Sequence, residues 1–115
     1  METLELSTEN KSRITQKIIE TASEELRHHS GSLDRDITCM TGLPEPLDEI
    51  HFYCYGDIER KPARYQLPSQ PPMDDVNCTL YIEPIRVWVN DEEERLLPLD
   101  IEKIQNEITY NLEKQ

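Results

Sequence analysis

Glycine is scarce in this chain: three in 115 residues, at Gly31, Gly42 and Gly56. That spacing excludes a glycine-rich phosphate loop and a dinucleotide fingerprint, both of which need clustered glycines where backbone approaches phosphate. Cysteine is also scarce, and odd in number. Cys39, Cys54 and Cys78 stand far apart, with no C-x-x-C pair and no zinc-like grouping with His28, His29 or His51. Neither a disulfide framework nor a metal site is therefore expected. Asn77-Cys78-Thr79 matches a glycosylation acceptor, but no charged-then-apolar leader opens the chain, so the match reads as chance. No apolar run nears the length of a membrane span. A cytoplasmic protein with no membrane contact is expected.

Positive charge is the other deficit. Twelve Lys and Arg stand against 24 Asp and Glu, for a formal net charge of −12. Such a charge disfavours direct binding to nucleic acid or an anionic membrane. It suits plain solubility, or a protein partner with a basic surface.

What is present is a patterned single domain, residues 1–115, long enough to bury one core. Its centre is residues 78–90, CTLYIEPIRVWVN, dense in β-branched and aromatic side chains and holding the single Trp, Trp88. Leu80 and Ile82 fall on one face of an alternating strand, with Thr79, Tyr81 and Glu83 on the other. After Pro84 the phase shifts: Ile85, Val87 and Val89 become the apolar set. A bulge at Glu83-Pro84 repairs the phase, or two strands meet there at a corner. Asp91, Glu92, Glu93 and Glu94 read as a charged turn, with a short strand at residues 95–97 closing a hairpin.

Upstream, residues 1–10 form a flexible arm or a short added strand. A helix begins between Thr8 and Ser12, with Ile14, Ile18, Ile19, Ala22 and Leu26 as its apolar stripe and Gly31 as its stop. Residues 36–40 suggest a short strand. Residues 50–55, IHFYCY, are the second clear strand, with Ile50, Phe52 and Cys54 on one face and His51, Tyr53 and Tyr55 on the other. Both faces are bulky, so the strand is either covered twice or lies at an interface. Gly56-Asp57 is expected to end it. Residues 60–75 hold Pro62, Pro68, Pro71 and Pro72 and read as a loop. Pro68-Ser69-Gln70-Pro71 spells P-x-x-P, though Arg64 is one residue too far upstream for the usual basic flank. A final helix follows N-cap Asp100, with Ile101, Ile104, Ile108 and Leu112 as its stripe. The fold class is α+β: N-terminal and C-terminal helices packed on a small, mainly antiparallel sheet.

No constellation points to catalysis. Glu25 and His28 make a single Glu-x-x-His, but carboxylate-bridged metal bundles need a second copy, and surface pairs along the helix explain these residues better. His51 and Cys54 fall on opposite strand faces and cannot act together. No enzyme activity and no cofactor are expected. The function expected is a non-enzymatic, acidic protein-binding module: an inhibitor, immunity-type protein, adaptor or assembly protein. Tyr53, Tyr55 and Trp88 would supply contact energy, and Asp91, Glu92, Glu93 and Glu94 would steer a basic partner. Two alternatives stand beside it. One is a nucleic-acid mimic that inhibits a nucleic-acid-binding protein. The other is a structural subunit whose helix stripes build a homo-oligomer.

Overall fold

The computed structural model describes residues 2–62 and 74–114, and all structural statements below concern these. The elements run α1 (Thr8–Glu25), β1 (Gly31–Met40), β2 (Glu49–Pro62), β3 (Asp74–Ile82), β4 (Arg86–Val89), β5 (Glu93–Leu96) and α2 (Ile101–Glu113). This is the expected α+β arrangement of two terminal helices and a small antiparallel sheet.

Both helices start where a short polar side chain can take an orphan backbone donor. Ser7 caps α1 by accepting from the Asn10 N–H at 3.1 Å. Asp100 caps α2 by accepting from the Lys103 N–H at 3.1 Å. The C-terminal end of α1 is closed from a distance. Arg60 Nε donates to the His29 carbonyl at 2.7 Å, and its Nη2 donates to the carbonyls of Arg27 and Leu26 at 2.6 and 3.3 Å. A guanidinium there satisfies carbonyls that have no partner within the helix and meets the negative end of its dipole. Gly31, expected to stop the helix, instead opens β1 with φ of 97°.

The main sheet has the order β1-β2-β3, antiparallel throughout. β2 is its long central member. β1 pairs with β2 over Glu49–Ile58, and β3 pairs with β2 over Cys54–Pro62, so only the middle of β2 has neighbours on both edges. β1 is longer than the 36–40 stretch, because it pairs with β2 from Gly31 onward. Gly56 does not end β2. It lies opposite Leu33 and Leu80, with φ of 143°, and a Cβ there would meet the Thr79 carbonyl oxygen at 1.9 Å. Glycine lets two backbones approach mid-sheet more closely than any side chain allows. The expected loop at 60–75 also changes: Arg60 to Pro62 belong to β2, while Asp74 and Asp75 belong to β3. Arg64 and the P-x-x-P segment lie outside the described residues.

The phase shift at Pro84 resolves as a corner. β3 ends at Ile82, the Glu83 N–H still donates to the Tyr53 carbonyl at 3.1 Å, and the chain then leaves to form β4 in a second, two-stranded sheet with β5. The hairpin turn is shorter than expected. Asn90 and Asp91 take φ of 56° and 58°, the left-handed pair that suits the twist of a tight hairpin. Glu93 and Glu94 are therefore strand residues, not turn residues. The N-terminal arm adds a short parallel bridge to β5, with Leu4 N–H donating to the Leu96 carbonyl at 2.8 Å.

The core lies between the helices and one face of the main sheet. Ile14, Ile18 and Leu26 of α1 and its C-cap, and Ile104, Ile108 and Leu112 of α2, are fully buried. They meet Leu33, Ile37, Ile50, Phe52, Cys54, Ile58 and Leu80 from the strands. Each buried Leu, Ile or Phe among them contributes about 1.5–3 kcal/mol by leaving water. Thr21 against Cys39 places α1 over β1, and Thr109 against Cys78 places α2 over β3. Gln105 on α2 accepts from the Ile82 N–H at 2.6 Å, tying the helix to the end of β3.

Candidate functional site on the open sheet face

Alternation along each strand sends every second side chain away from the helices. On β2 the outward set is Glu49, His51, Tyr53, Tyr55, Asp57, Glu59 and Lys61. Strand register sets Asp34 opposite Tyr55, Asp36 opposite Tyr53 and Thr38 opposite His51 on one side. On the other side Tyr81 stands opposite Tyr55, and Thr79 opposite Asp57. No described element covers this face: Tyr55 is 39% exposed and Tyr81 48%.

Three tyrosines form a continuous stack on it. The ring centroids of Tyr53 and Tyr55 are 5.6 Å apart and those of Tyr55 and Tyr81 are 5.4 Å apart, with interplanar angles of 26° and 29°. Carboxylates surround the stack. Hydrogen bonding to the Asp34 carboxylate, with smaller pushes from desolvation and from the charges of Asp34, Glu83 and Asp36, raises the Tyr53 phenol from 10.0 to about 12. A nearby anion resists formation of a second one. Lys61 and His51 on this surface have polar neighbours: Lys61 lies 3.5 Å from Glu59, and His51 lies 3.0 Å from Thr38 and 3.5 Å from Glu49.

Where β4 passes β2, the face turns into a groove of ≈ 360 Å³. Tyr53 and Trp88 line it, with buried Phe52 and exposed His51 beside them. Asp36, Glu83 and Glu94 bring carboxylates, and Arg86 lies 3.9 Å from Glu94. Trp88 is 59% exposed and stands opposite Glu94 in the β4–β5 register. A second hollow on the far side of Trp88 includes Glu45, Asp48, Glu49 and Asp91. The surface thus presents flat, half-exposed aromatic rings in a field of negative charge.

The expected contact residues divide on this map. Tyr53, Tyr55, Trp88 and Glu94 share the open face or its groove. Asp91 reaches only the hollow beyond Trp88. Glu92 and Glu93 line a shallow depression with Glu2 and Arg95, toward the N-terminal arm. Glu93 is bonded to Arg95 there, and Glu2 lies 2.6 Å from the same guanidinium. Sequence reasoning missed Tyr81, Asp34, Asp36 and Glu83 as members of the site. Tyr81 and Glu83 carry the outward parity of their strand, but nothing local says that Tyr81 pairs with Tyr55.

The cysteines contribute no chemistry to this face. Cys39, Cys54 and Cys78 are free and buried on the helix side. Burial raises all three thiols, Cys54 to about 11. A thiol so placed is a poor nucleophile and packs as a small apolar group. No cluster of three or more metal-ligating side chains occurs among the described residues. No helix among them is long and apolar enough to cross a membrane. Compared with family models, curated proteins and solved structures, the chain matches none.

Proposed function

We propose that this chain is a small acidic protein-binding module, acting without catalysis as an inhibitor, immunity-type protein, adaptor or assembly protein, and that it holds a basic protein partner on its open sheet face. The observation that carries this reading is the uncovered stack of Tyr53, Tyr55 and Tyr81 within a ring of carboxylates. Rigid aromatic rings supply contact area at low entropic cost, and peripheral acids raise the rate of encounter with a cationic surface. A cytoplasmic setting fits three free thiols, since oxidising compartments favour paired cysteines.

Capture from native lysate on the immobilised chain tests the reading, with Tyr55→Ala/Tyr81→Ala as the paired bait. A basic protein held by the wild type through low-salt washes and lost from the double variant is the expected result. Equal retention on both baits, with displacement by added DNA, would replace this reading by nucleic-acid mimicry. Recovery of the chain's own copies alone would replace it by self-assembly.

A further inference from the structure

The groove between β2 and β4 carries the binding-module reading one step further, to the chemistry of the ligand. It brings together two aromatic side chains from different sheets, Tyr53 and Trp88, and two carboxylates from different segments, Asp36 on β1 and Glu83 at the corner after β3. Among the described residues no lysine or arginine forms an ion pair with Asp36 or Glu83. The cation that lines the groove, Arg86, faces Glu94. The charged side chains of the groove therefore sum to a negative charge, and half-buried Tyr53 and exposed Trp88 both line it. The tyrosine stack continues from it through Tyr53 to Tyr55 and Tyr81.

We propose that this groove is an arginine-binding site, in which one guanidinium of an arginine-rich segment on the partner is held between Tyr53 and Trp88 with Asp36 and Glu83 as its carboxylate acceptors. The segment's further cations lie over the tyrosine stack. Guanidinium fits for two reasons. It is planar and weakly hydrated, so it stacks on aromatic faces with less desolvation than an ammonium. Its fork of N–H donors also meets carboxylates two bonds at a time. A lysine offers only a compact, strongly hydrated charge. The surrounding acids act on any cation and set the salt dependence; the groove sets the preference.

The test uses the full chain and three short synthetic peptides: an arginine–serine repeat, the lysine–serine repeat of equal length and charge, and a glutamate–serine repeat. Trp88 is the single Trp, so its fluorescence reads occupancy of the groove. The arginine peptide is expected to shift that signal saturably and to bind about tenfold tighter than the lysine peptide, while the glutamate peptide leaves the signal unchanged. Asp36→Asn/Glu83→Gln, which alters charge and not shape, is expected to weaken arginine-peptide binding about tenfold. Glu102→Gln/Glu107→Gln on the exposed side of α2 removes equal charge and should change it little. Equal affinity for the lysine and arginine peptides, or equal loss in both double variants, would overturn the site in favour of diffuse attraction. Absence of any arginine-peptide binding would overturn it too. If lysate capture still depends on Tyr55 and Tyr81 in that case, the module reading stands and only the arginine assignment falls.

Discussion

The two faces of the β1-β2-β3 sheet are built from the same strands, often from adjacent residues, yet they are opposite materials. Inward from β2 point Ile50, Phe52, Cys54 and Ile58, at most 3% exposed. Outward, one residue along in each case, point His51, Tyr53, Tyr55 and Glu59. The inner set meets two helices and leaves water; the outer set is covered by neither helix. An antiparallel sheet can remain solvated on one side because its backbone bonds are satisfied within the sheet. The helix side therefore holds the stability, and the open side is free to hold large rings and unpaired charge at little cost to the fold. A polar sheet surface needs no tyrosine ladder to stay in solution, which is why the ladder reads as a contact surface.

The sharpest way to break this contrast is at Gly56, where stability depends on a missing side chain. Gly56→Ala places a methyl against the Thr79 carbonyl at a backbone angle alanine resists. A loss of about 4 kcal/mol or failure to fold is expected, read by denaturant titration. Next comes the direct pairing of faces. Ile50→Ala should lose about 2–5 kcal/mol. Tyr55→Ala, five residues away on the same strand, should lose less than about 1.5 kcal/mol while abolishing partner capture. An equal loss of stability in both would erase the distinction between the faces.

A smaller effect is expected at the rim of the covered side. Arg60→Met removes the donor to the Leu26, Arg27 and His29 carbonyls. It should lower stability by about 1–2 kcal/mol, with hydrogen exchange rising first at the end of α1. The smallest expected change sharpens the comparison without touching packing. The Tyr53 phenol is raised to about 12 in the folded chain, so its share of stability is whole below pH 10 and is lost as pH climbs toward 12. Ultraviolet titration should find the Tyr53 phenol ionising late, and Asp34→Asn should return it toward 10. The raised Cys54 thiol shares that direction, whole below pH 9 and lost toward 11, and native labelling of the thiols should stay slow.

Much of the fold is legible because its signals are local. Ile104, Ile108 and Leu112 recur on one helix face, and Asp100 precedes them as a cap whatever the helix packs on. Ile50, Phe52 and Cys54 alternate with His51, Tyr53 and Tyr55, so the two faces of β2 can be separated before any partner strand is known. Boundaries were less legible where distant groups decide them. Gly56 looks like a strand end by itself, but hydrogen bonds from β1 and β3 carry β2 across it. Arg60 looks like free surface charge until the end of α1 is placed beside it.

The site divides along the same line. Tyr53, Tyr55 and Trp88 could be picked out from residue type and parity. Their assembly could not, because it rests on register and on a corner. Pairing sets Tyr81 beside Tyr55 across strands more than twenty residues apart in the chain. The turn at Glu83-Pro84 swings Trp88 toward Tyr53 and leaves Glu92 and Glu93 on another side. The sequence by itself determined which side chains alternate, where α2 is capped and how negative the surface is, since each follows from neighbours a few bonds away; the cap of α1 fell to Ser7, one residue before the expected stretch. Only the tertiary structure decided which sheet face the helices cover and which aromatics meet on the other, because both depend on contacts between segments that the chain brings together only on folding.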